Sequence, residues 1–421
     1  MTAVDHDAKP GPLDRCQISG SDNLFEIMDL GHQAPCDSML TEEMLDQPEK
    51  TYPLRLMMCP ESGLAQLSYV VDGGEIYRPD YPYRSGISKP LEEYQRAFAD
   101  GIISKFGLEP GAFVVDIGSN DGTLLTGFKR RGMEVLGVEP TNIARIAETE
   151  NGIETIQAFF NEDGARQIAK ITGRAKVITA TNVFAHMADL GEVCRGIEAL
   201  LDDDGVFITE SHYLLDVLEK NQFDTIYHEH IRTYSLKALV LLFPQYGLEV
   251  FDVQRAERYG GNIRVYVGRA GQSPISSAVE ELLELEEEAG LFKESTWRVF
   301  RKRVERNRDR FMEFAWETKS AGMSIAAQAC PGRCSTLLNY YGVTRALLPY
   351  ICEIPNSLKL GMYLPGSHIP VIPGERMVRE QPDYVLINAW HYLEAVTTRL
   401  RGEGVTSKFV TALPEFAVLD L

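Results

Sequence analysis

Short apolar runs alternate with stretches of helical spacing from Phe113 onward. The strand-like runs read FVVDIG, MEVLGVEP, AKVITATNVF, GVFITES and NIRVYVG, and helical stretches such as NIARIAETE and LGEVCRGIEALL separate them. Strands that alternate with helices are typical of a doubly wound sheet that carries helices on both faces. The alternation therefore predicts an α/β domain in this part of the chain.

The spacing changes at several points and divides the 421 residues into five parts. We expect a disordered lead at 1–15, a small turn-rich N-terminal domain at 16–87 and the α/β domain at 88–275. A highly charged helical linker, acidic first and basic later, follows at 276–320. The α/β rhythm returns at 321–421 and predicts a second, smaller α/β domain. A chain of this length agrees with more than one core.

Composition argues against several classes of function. The chain is 44% hydrophobic, and no apolar run approaches the length of a membrane span. Its formal net charge of -19 disfavours binding to nucleic acid or anionic membranes. The start MTAVDHDAKPGPLDR lacks the apolar segment of a secretory signal, and seven scattered cysteines are typical of reduced thiols. We therefore expect a cytoplasmic protein with no membrane or nucleic-acid partner. Nothing in the sequence indicates its oligomeric state.

The loop after the strand FVVDIG contains the candidate cofactor residues. They are Asp116 at the strand end, Gly118, Asn120, Asp121 and Gly122 in the loop, and Glu139 at the end of the next strand. Glycines in such a turn let a ligand approach the backbone, and an acidic residue about 20 positions later can hold ribose hydroxyls. Because Asp116 and Asp121 would repel a pyrophosphate but suit an ammonium and a sulfonium, the loop predicts S-adenosylmethionine rather than a dinucleotide.

Two further segments are expected at the cofactor. Phe159 and Phe160 are placed to flank the adenine. Asn182 and His186 follow the strand AKVITA, at the edge of the sheet that usually faces a cofactor.

The segment FDTIYHEHIRTYS places His228 and His230 on either side of Glu229. Three interpretations remain open from the residues alone: a metal site, a proton-transfer site and a structural pair of histidines. Side chains two positions apart diverge on a helix and share a face only on a strand, and no third ligand is placed by the sequence. The position of the segment shortly after a cofactor-facing strand favours proton transfer.

Four segments resemble the nucleotide-sugar C-methyltransferases of deoxysugar biosynthesis, which act at C3 of 4-keto sugars. These segments are DYPYRS at 80–85, IGSNDGTLL at 117–125, FDTIYHEHIRTYSL at 223–236 and LKLGMYLPGSHIPV at 358–371. The resemblance spans nearly the whole chain. It implies a zinc-ribbon-like N-terminal domain, a Rossmann methyltransferase core and a C-terminal Rossmann-like domain.

The resemblance also implies roles for the residues of the YHEH segment. His230 is the expected base and Glu229 its neighbour in the site. Tyr227 and Tyr81 are expected to donate hydrogen bonds to the substrate or its enolate, with Tyr83 as the alternative to Tyr81. Such a site needs a base and a group that stabilises the enolate oxygen, because a carbon beside a ketone becomes nucleophilic only after it loses a proton.

The N-terminal domain departs from the family, which carries two CxxC elements for zinc. The corresponding places read Cys16-Gln17-Ile18-Ser19 and Cys59-Pro60-Glu61-Ser62, so that each second cysteine is a serine. A structural zinc requires four thiolate or imidazole ligands, and serine is a poor substitute. We predict that zinc is absent. His32 and Cys36 are the residues that would have to complete a site.

The C-terminal domain departs as well. A Gly-Ala-x-x-Lys-Gly type loop is replaced by AAQACPGRCSTLLNYYG, where Arg333 stands as the candidate phosphate anchor, and Glu353 replaces the usual aspartate. Lys359 and His368 are further candidates for contacts to the diphosphate or the sugar.

These observations predict an S-adenosylmethionine-dependent enzyme that methylates a carbon of a nucleotide-linked keto sugar. The small-molecule substrate is expected between the methyltransferase and C-terminal domains. Two alternatives remain open: an O-methyltransferase of a sugar or small polar metabolite, and a non-catalytic relative that binds a sugar nucleotide or the cofactor.

Overall fold

A computed structural model describes residues 6–78, 84–87 and 89–419 of the chain. Two predicted site residues, Tyr81 and Tyr83, lie outside these ranges. The described strands form sheets of two, four, seven and six strands. No helix in the described ranges combines the length and the apolar character that crossing a bilayer requires.

The strands, in chain order, are β1 (Gly11–Pro12), β2 (Phe25–Gln33), β3 (Tyr52–Met58), β4 (Ala65–Leu67), β5 (Tyr69–Val70), β6 (Phe113–Ile117), β7 (Glu134–Val138), β8 (Thr155–Ile156), β9 (Ala175–Thr181), β10 (Leu201–His212), β11 (Arg232–Thr233), β12 (Leu248–Ala256), β13 (Asn262–Arg269), β14 (Ile325–Gln328), β15 (Ile351–Glu353), β16 (Val371–Pro373), β17 (Tyr384–Ile387), β18 (Lys408–Thr411) and β19 (Ala417–Leu419).

The α-helices lie mostly between these strands. They are α1 (Gly73–Ile76), α2 (Lys89–Phe106), α3 (Thr123–Lys129), α4 (Ala144–Thr149), α5 (Glu162–Thr172), α6 (Leu190–Leu200), α7 (Leu214–Glu219), α8 (Leu236–Leu242), α9 (Ser277–Glu288), α10 (Glu294–Ser320), α11 (Gly332–Tyr341), α12 (Glu375–Glu380) and α13 (Leu393–Gly402).

The seven-stranded sheet confirms the predicted α/β core. Its order is β12-β13-β10-β9-β6-β7-β8, in which β6 to β10 run parallel to one another and β13 runs antiparallel to both its neighbours, β10 and β12. From β6 the chain passes to β7 on one side and later reaches β9 on the other. Ligands bind where the strand order reverses in this way, outside the carboxyl ends of the strands. The sheet therefore opens a ligand site directly after β6.

The six-stranded sheet confirms the α/β character of the C-terminal part. Its order is β16-β15-β14-β17-β18-β19, and only β19 runs antiparallel to its neighbour. The first strand of this sheet, β14, lies between β15 and β17, just as β6 lies between β7 and β9. A second ligand site is thus expected in the loop after β14.

The charged helices α9 and α10 pack more closely than a solvated linker. Trp297, Phe300 and Val304 of α10 are fully buried, and Arg301 of the same helix donates hydrogen bonds to the carbonyl oxygens of Glu26 and Ile27 in β2. The apolar stripe of a helix must be covered by another element, and here the N-terminal sheet covers part of it.

The described part of the N-terminal lead also differs from the prediction of disorder. Gly11 and Pro12 pair with Tyr69 and Val70 as a two-stranded ribbon, and Ala8 is buried. Residues 6–15 are therefore part of the folded molecule.

The N-terminal sheet takes one strand from a distant part of the sequence. Its order is β11-β4-β3-β2, and Arg232 and Thr233 of β11 lie opposite Gln66 and Ala65 of β4. Because β11 begins two residues after His230, the N-terminal domain holds the end of the YHEH segment through backbone hydrogen bonds.

The four positions of the family's zinc site converge in this domain. Cys16 Sγ lies 3.0 Å from Ser62 Oγ, and Ser19 Oγ lies 3.4 Å from Cys59 Sγ. The backbone amide of Ser19 also donates to Cys16 Sγ at 3.4 Å. Two thiols and two hydroxyls do not fit a structural zinc, which requires thiolate or imidazole ligands. The geometry instead supplies hydrogen bonds across the positions that a metal would join.

Restoring the two cysteines tests this interpretation. We expect the wild-type protein to purify without stoichiometric zinc, and the double variant Ser19→Cys/Ser62→Cys to bind about one zinc per chain and to melt at a higher temperature. Metal analysis and thermal unfolding with and without a chelator measure both effects.

The double variant Ser19→Ala/Ser62→Ala is the matched control, since it changes the same positions without adding ligands. One zinc per chain in the wild-type protein would contradict the prediction.

Candidate functional site

A cavity of about 700 Å³ lies between the three parts of the molecule. Its walls are formed by residues 70–77 of the N-terminal domain, the loop after β6 with the ends of β7, β9 and β10, the segment 227–231, and residues 329–333 and 389–392 of the C-terminal domain. Both ligand sites expected from the sheet topology open into it.

Two glycines shape the loop after β6. Gly118 has a φ of 66°, and an added Cβ would lie 2.4 Å from Val183 Cγ2. Gly122 has a φ of 74°, and its Cβ would lie 2.9 Å from the side chain of Ile153. Both the left-handed conformation and the close approach require glycine. Gly118 lines the cavity, whereas Gly122 begins helix α3 behind it.

Glu139 is held firmly at the end of β7. Its Oε1 accepts hydrogen bonds from the backbone amide of Thr141 at 2.9 Å and from Thr141 Oγ1 at 2.6 Å, and its Oε2 accepts one from the amide of Asn120 at 3.0 Å. Burial raises the pKa of Glu139. A carboxylate offers about four lone-pair positions, so Glu139 retains acceptor capacity for ribose hydroxyls.

The two loop aspartates have different surroundings. Asp116 lines the cavity and accepts a hydrogen bond from Thr179 Oγ1 at 2.6 Å, and burial raises the pKa of Asp116 to about 7. Asp121 lies under the loop, outside the cavity lining, where its carboxylate binds the amide of Gly86 and the side chains of Arg84 and Thr123. Contact between Asp121 and the cofactor therefore stays a prediction, while its structural bonds tie residues 84–86 to the loop.

The remaining predicted cofactor residues line the cavity. Phe160 is buried, Phe159 is exposed, and Asn120 adopts a left-handed φ of 51°. The Nδ2 atom of Asn182 is buried without a partner in the described structure, although Asn182 Oδ1 accepts a hydrogen bond from Asn262. His186 Nδ1 lies 3.0 Å from the hydroxyl of Tyr77.

The hydrogen bonding of His230 fixes its tautomer. Its Nδ1 lies 2.7 Å from the carbonyl oxygen of Thr225, which can only accept, so Nδ1 carries the proton. Nε2 is left with its lone pair. Burial lowers the pKa of His230 well below 6.5. A neutral imidazole with a free lone pair is the form that a general base requires.

His230 lies among aromatic and imidazole rings, whereas His228 points elsewhere. The centroid of the His230 ring is 3.9 Å from that of Tyr227, 4.8 Å from His186 and 5.0 Å from His212. The ring of His228 contacts Tyr52 of the N-terminal domain at 5.9 Å, and burial lowers the pKa of His228 to about 4. The two histidines of the segment therefore face different neighbours.

Glu229 belongs to a buried cluster at the junction of the domains. Cys36, Asp37 and Glu229 are the one group of at least three potential metal ligands within mutual reach in the described ranges, and neither His228 nor His230 belongs to it. The amine of Lys359 lies 2.5 Å from Asp37 Oδ1 and donates to the carbonyl oxygen of Cys330 at 2.9 Å. The ammonium of Lys359 thus forms an ion pair with one of the two carboxylates of this cluster.

The predicted phosphate and sugar contacts have protein partners. Arg333 donates to both carboxylate oxygens of Asp224 at 2.8 and 2.9 Å, to Gln222 Oε1 and to the carbonyl oxygen of Tyr259. Lys359 is paired with Asp37. His368 lies outside the cavity lining, and its Nε2 is 3.2 Å from Glu49. Roles in substrate binding stay predictions for all three.

Three cavity residues were missed from the sequence: His212, Tyr259 and His391. Tyr259 contacts His212 with ring centroids 6.0 Å apart, and His391 at the same centroid distance. His212 ends β10, the strand that contains GVFITE, and His391 follows the strand YVLI. Since both lie at the carboxyl end of a strand in an open sheet, the rule used for Asn182 and His186 would have found them.

Comparisons with known proteins identify the family of the chain. Family models described as "Putative zinc binding domain", "Methyltransferase domain" and "C-methyltransferase C-terminal domain" match residues 16–77, 91–253 and 257–414. The C-methyltransferase NovU of Streptomyces niveus is 33% identical over 412 residues, which cover 97% of each chain. The chain belongs to this C-methyltransferase family. It is an S-adenosylmethionine-dependent methyltransferase, as predicted from the loop after β6.

More distant similarities cover less than half of the chain. A ubiquinone biosynthesis O-methyltransferase of Aeromonas salmonicida is 32% identical over 130 residues, which cover 30% of this chain and 53% of its own. Among solved structures, the magnesium protoporphyrin IX methyltransferase of Synechocystis PCC 6803 with bound SAH has a TM-score of 0.34 and 13% identity, covering 47% of this chain and 94% of its own.

Removal of the Glu139 carboxylate tests the cofactor site. We expect Glu139→Ala to weaken S-adenosylmethionine binding about 10- to 100-fold, because hydrogen bonds to a charged group contribute about 1.5–3 kcal/mol. Glu139→Gln, which keeps one acceptor oxygen, should lose less. Isothermal titration calorimetry measures the affinities.

The exposed Glu154, which precedes β8, offers the matched control Glu154→Ala, for which we expect unchanged affinity. Binding by Glu139→Ala within about threefold of the wild type would rule out a direct role of Glu139 in binding the cofactor.

Proposed function

We propose that this C-methyltransferase acts on a nucleotide-linked keto sugar, at the carbon beside the ketone, with His230 as the base. The observation that carries the proposal is the hydrogen bond from His230 Nδ1 to the carbonyl oxygen of Thr225, which leaves the Nε2 lone pair available in a cavity shared with the cofactor loop. Transfer of a methyl group to carbon requires a carbanion equivalent, and a positioned neutral base is the group that generates one.

The proposed reaction divides between two groups of residues. His230 Nε2 accepts the proton from the carbon beside the ketone, and the electron pair of the C–H bond moves onto the carbonyl oxygen as an enolate. The bound cofactor supplies the electrophilic methyl group, to which the enolate carbon forms its new bond as the sulfonium leaves as a neutral thioether. Asn182, Glu139 and the loop after β6 would hold the cofactor, so that the reacting atoms are close and in line.

The C-terminal domain supports the nucleotide part of the proposal. The loop after β14 lies at the switch point of its sheet, and Ala329 in it adopts a left-handed φ of 73°. The backbone amide of Cys330 donates to Glu353 Oε2 at 2.7 Å, which orients this carboxylate beside the cavity. An acidic side chain at the end of the second strand is a typical partner of ribose hydroxyls in such sheets.

O-methylation is the second candidate, and the similarity to the ubiquinone biosynthesis O-methyltransferases favours it. A hydroxyl acceptor also needs a base, but it does not need an acidic proton on carbon. Hydrogen exchange at carbon therefore distinguishes the two reactions.

We expect the wild-type enzyme to incorporate deuterium from heavy water at the carbon beside the ketone, in the absence of S-adenosylmethionine. His230→Asn should slow this exchange by at least about 100-fold, since a general base typically contributes 10²- to 10⁴-fold. Nuclear magnetic resonance of candidate 4-keto sugar nucleotides follows the exchange.

His32→Asn, at an exposed histidine of β2, is the matched control and should exchange at the wild-type rate. A wild-type enzyme that methylates its substrate without exchange at carbon would contradict the enolate route and favour O-methylation.

The pH dependence provides a second test. Because burial lowers the pKa of His230 well below 6.5, the base stays deprotonated as the pH falls through 6.5. We expect kcat/KM for exchange to be level from about pH 8 to pH 6.5 and to decline only in more acidic solution. An acid limb centred near or above about pH 7 would show that a group other than the buried His230 is the base.

A further inference from the structure

His212 is a second histidine beside the proposed base, and it has no assigned role. It is the last residue of β10, lies at the carboxyl edge of the sheet and lines the cavity. Its ring is 5.0 Å from that of His230, between centroids. His212 is therefore close enough to His230 for both to contact the same small group of atoms.

His212 differs from the polar groups around it because those groups already have hydrogen-bond partners. The other histidine in ring contact with His230 is His186, whose Nδ1 is already within 3.0 Å of the Tyr77 hydroxyl. The guanidinium of Arg333 donates two hydrogen bonds to the carboxylate of Asp224. Within the described ranges, neither ring nitrogen of His212 has a hydrogen-bond partner, and its Nδ1 is buried.

This burial indicates where the proton of His212 lies. Burial lowers the pKa of His212 well below 6.5. Repulsion from nearby cationic groups lowers it further; these groups are His230 when protonated, Arg333, and His391 and His186 when protonated. The ring is therefore neutral near pH 7 and carries one N–H. An N–H at the buried Nδ1 would have no acceptor, whereas an N–H at Nε2 can bind an acceptor in the cavity, so the tautomer that can donate to a ligand carries its proton on Nε2.

The two rings then have opposite tautomers. His230 carries its proton on Nδ1, bonded to Thr225, and offers a lone pair at Nε2. His212 offers an N–H at Nε2. An enolisation requires a proton acceptor at the carbon and a hydrogen-bond donor at the oxygen, and a neutral imidazole can polarise a carbonyl through its N–H.

We infer that His212 is a catalytic residue that donates a hydrogen bond from Nε2 to the substrate carbonyl oxygen and to the enolate oxygen that develops from it. The inference rests on the proposed function: His230 would accept the proton, and His212 would stabilise the oxygen. No proton leaves His212, because the charge on the oxygen is relieved when the carbon bonds to the methyl group and the carbonyl re-forms.

Three variants of the full-length enzyme test this role, with deuterium exchange at the carbon beside the ketone as the assay and S-adenosylhomocysteine present to fill the cofactor site. We expect His212→Ala to lower the exchange rate about 100- to 1,000-fold, which is the usual effect of losing one oxyanion donor. His212→Gln, whose side-chain amide places an N–H near the position of imidazole Nε2, should recover at least about tenfold of the loss. His32→Ala is the control at an exposed position and should match the wild type.

Comparing the change in kcat with the change in KM distinguishes a catalytic role of His212 from a structural one. For a donor that acts mainly on the developing oxyanion, kcat should fall while KM and the affinity for S-adenosylhomocysteine stay within about threefold of the wild type. Exchange by His212→Ala within about threefold of the wild type would overturn the inference and leave the proposed function intact. An equal loss in the Ala and Gln variants, accompanied by weaker cofactor binding, would also overturn it, because that result indicates a structural role. A wild-type enzyme that does not exchange would remove both the proposed function and this inference.

Discussion

The guanidinium of Arg232 joins the regions on which the cavity depends. Arg232 is almost fully buried, and it donates to Gln17 Oε1 at 2.9 Å, to the carbonyl oxygen of Met187 at 2.5 Å and to that of Ala188 at 2.9 Å. Gln17 belongs to the N-terminal domain, while Met187 and Ala188 directly follow His186. A buried charge is tolerated only when its hydrogen bonds are satisfied, so that these groups are fixed relative to one another. The strand that contains Arg232 begins two residues after His230, and one cation thereby positions both His186 and His230.

The positions of His186 and His230 therefore depend on a well-ordered N-terminal sheet. The pairing of β11 with β4 is short, and its register holds only if β4 is part of a firm sheet. Four cysteine ligands would let a metal supply that firmness. In this chain the thiol and hydroxyl groups of Cys16, Ser19, Cys59 and Ser62 contact each other directly, and the amide of Gln17 donates to Gln66 Oε1 at 3.0 Å, directly beside the paired strand. Several modest hydrogen bonds in a buried environment can hold the same four positions together.

The sequence was sufficient for features that depend on local spacing and insufficient for those that depend on distant pairing. The alternation of strands and helices predicted both α/β sheets, and the residues of the loop after β6 predicted an S-adenosylmethionine-dependent enzyme. Arg333 was a candidate phosphate anchor because it stands in the loop where the family has a lysine, and Lys359 was a candidate for contacts to the diphosphate or the sugar. Their partners, Asp224 and Asp37, lie 109 and 322 positions away in the chain, and no local pattern reveals such ion pairs. The carboxyl-end rule marks His186 after β9 and His212 at the end of β10, but it does not show that the ring of His230, in the loop before β11, lies 4.8 and 5.0 Å from theirs.

Burial of the cavity histidines has two opposing effects on the chemistry. It keeps His230 neutral and able to accept a proton near pH 7, but the lowered pKa also makes His230 a weaker base. Each unit of lowered pKa removes about 1.4 kcal/mol of driving force for taking a proton from carbon. In the proposed reaction, the deficit must be offset on the other side of the proton transfer, by stabilising the enolate oxygen in the same cavity. A low dielectric strengthens a hydrogen bond to a developing negative charge more than it strengthens one to a neutral carbonyl. Burial of the base therefore makes the donor opposite it the more important partner for the rate.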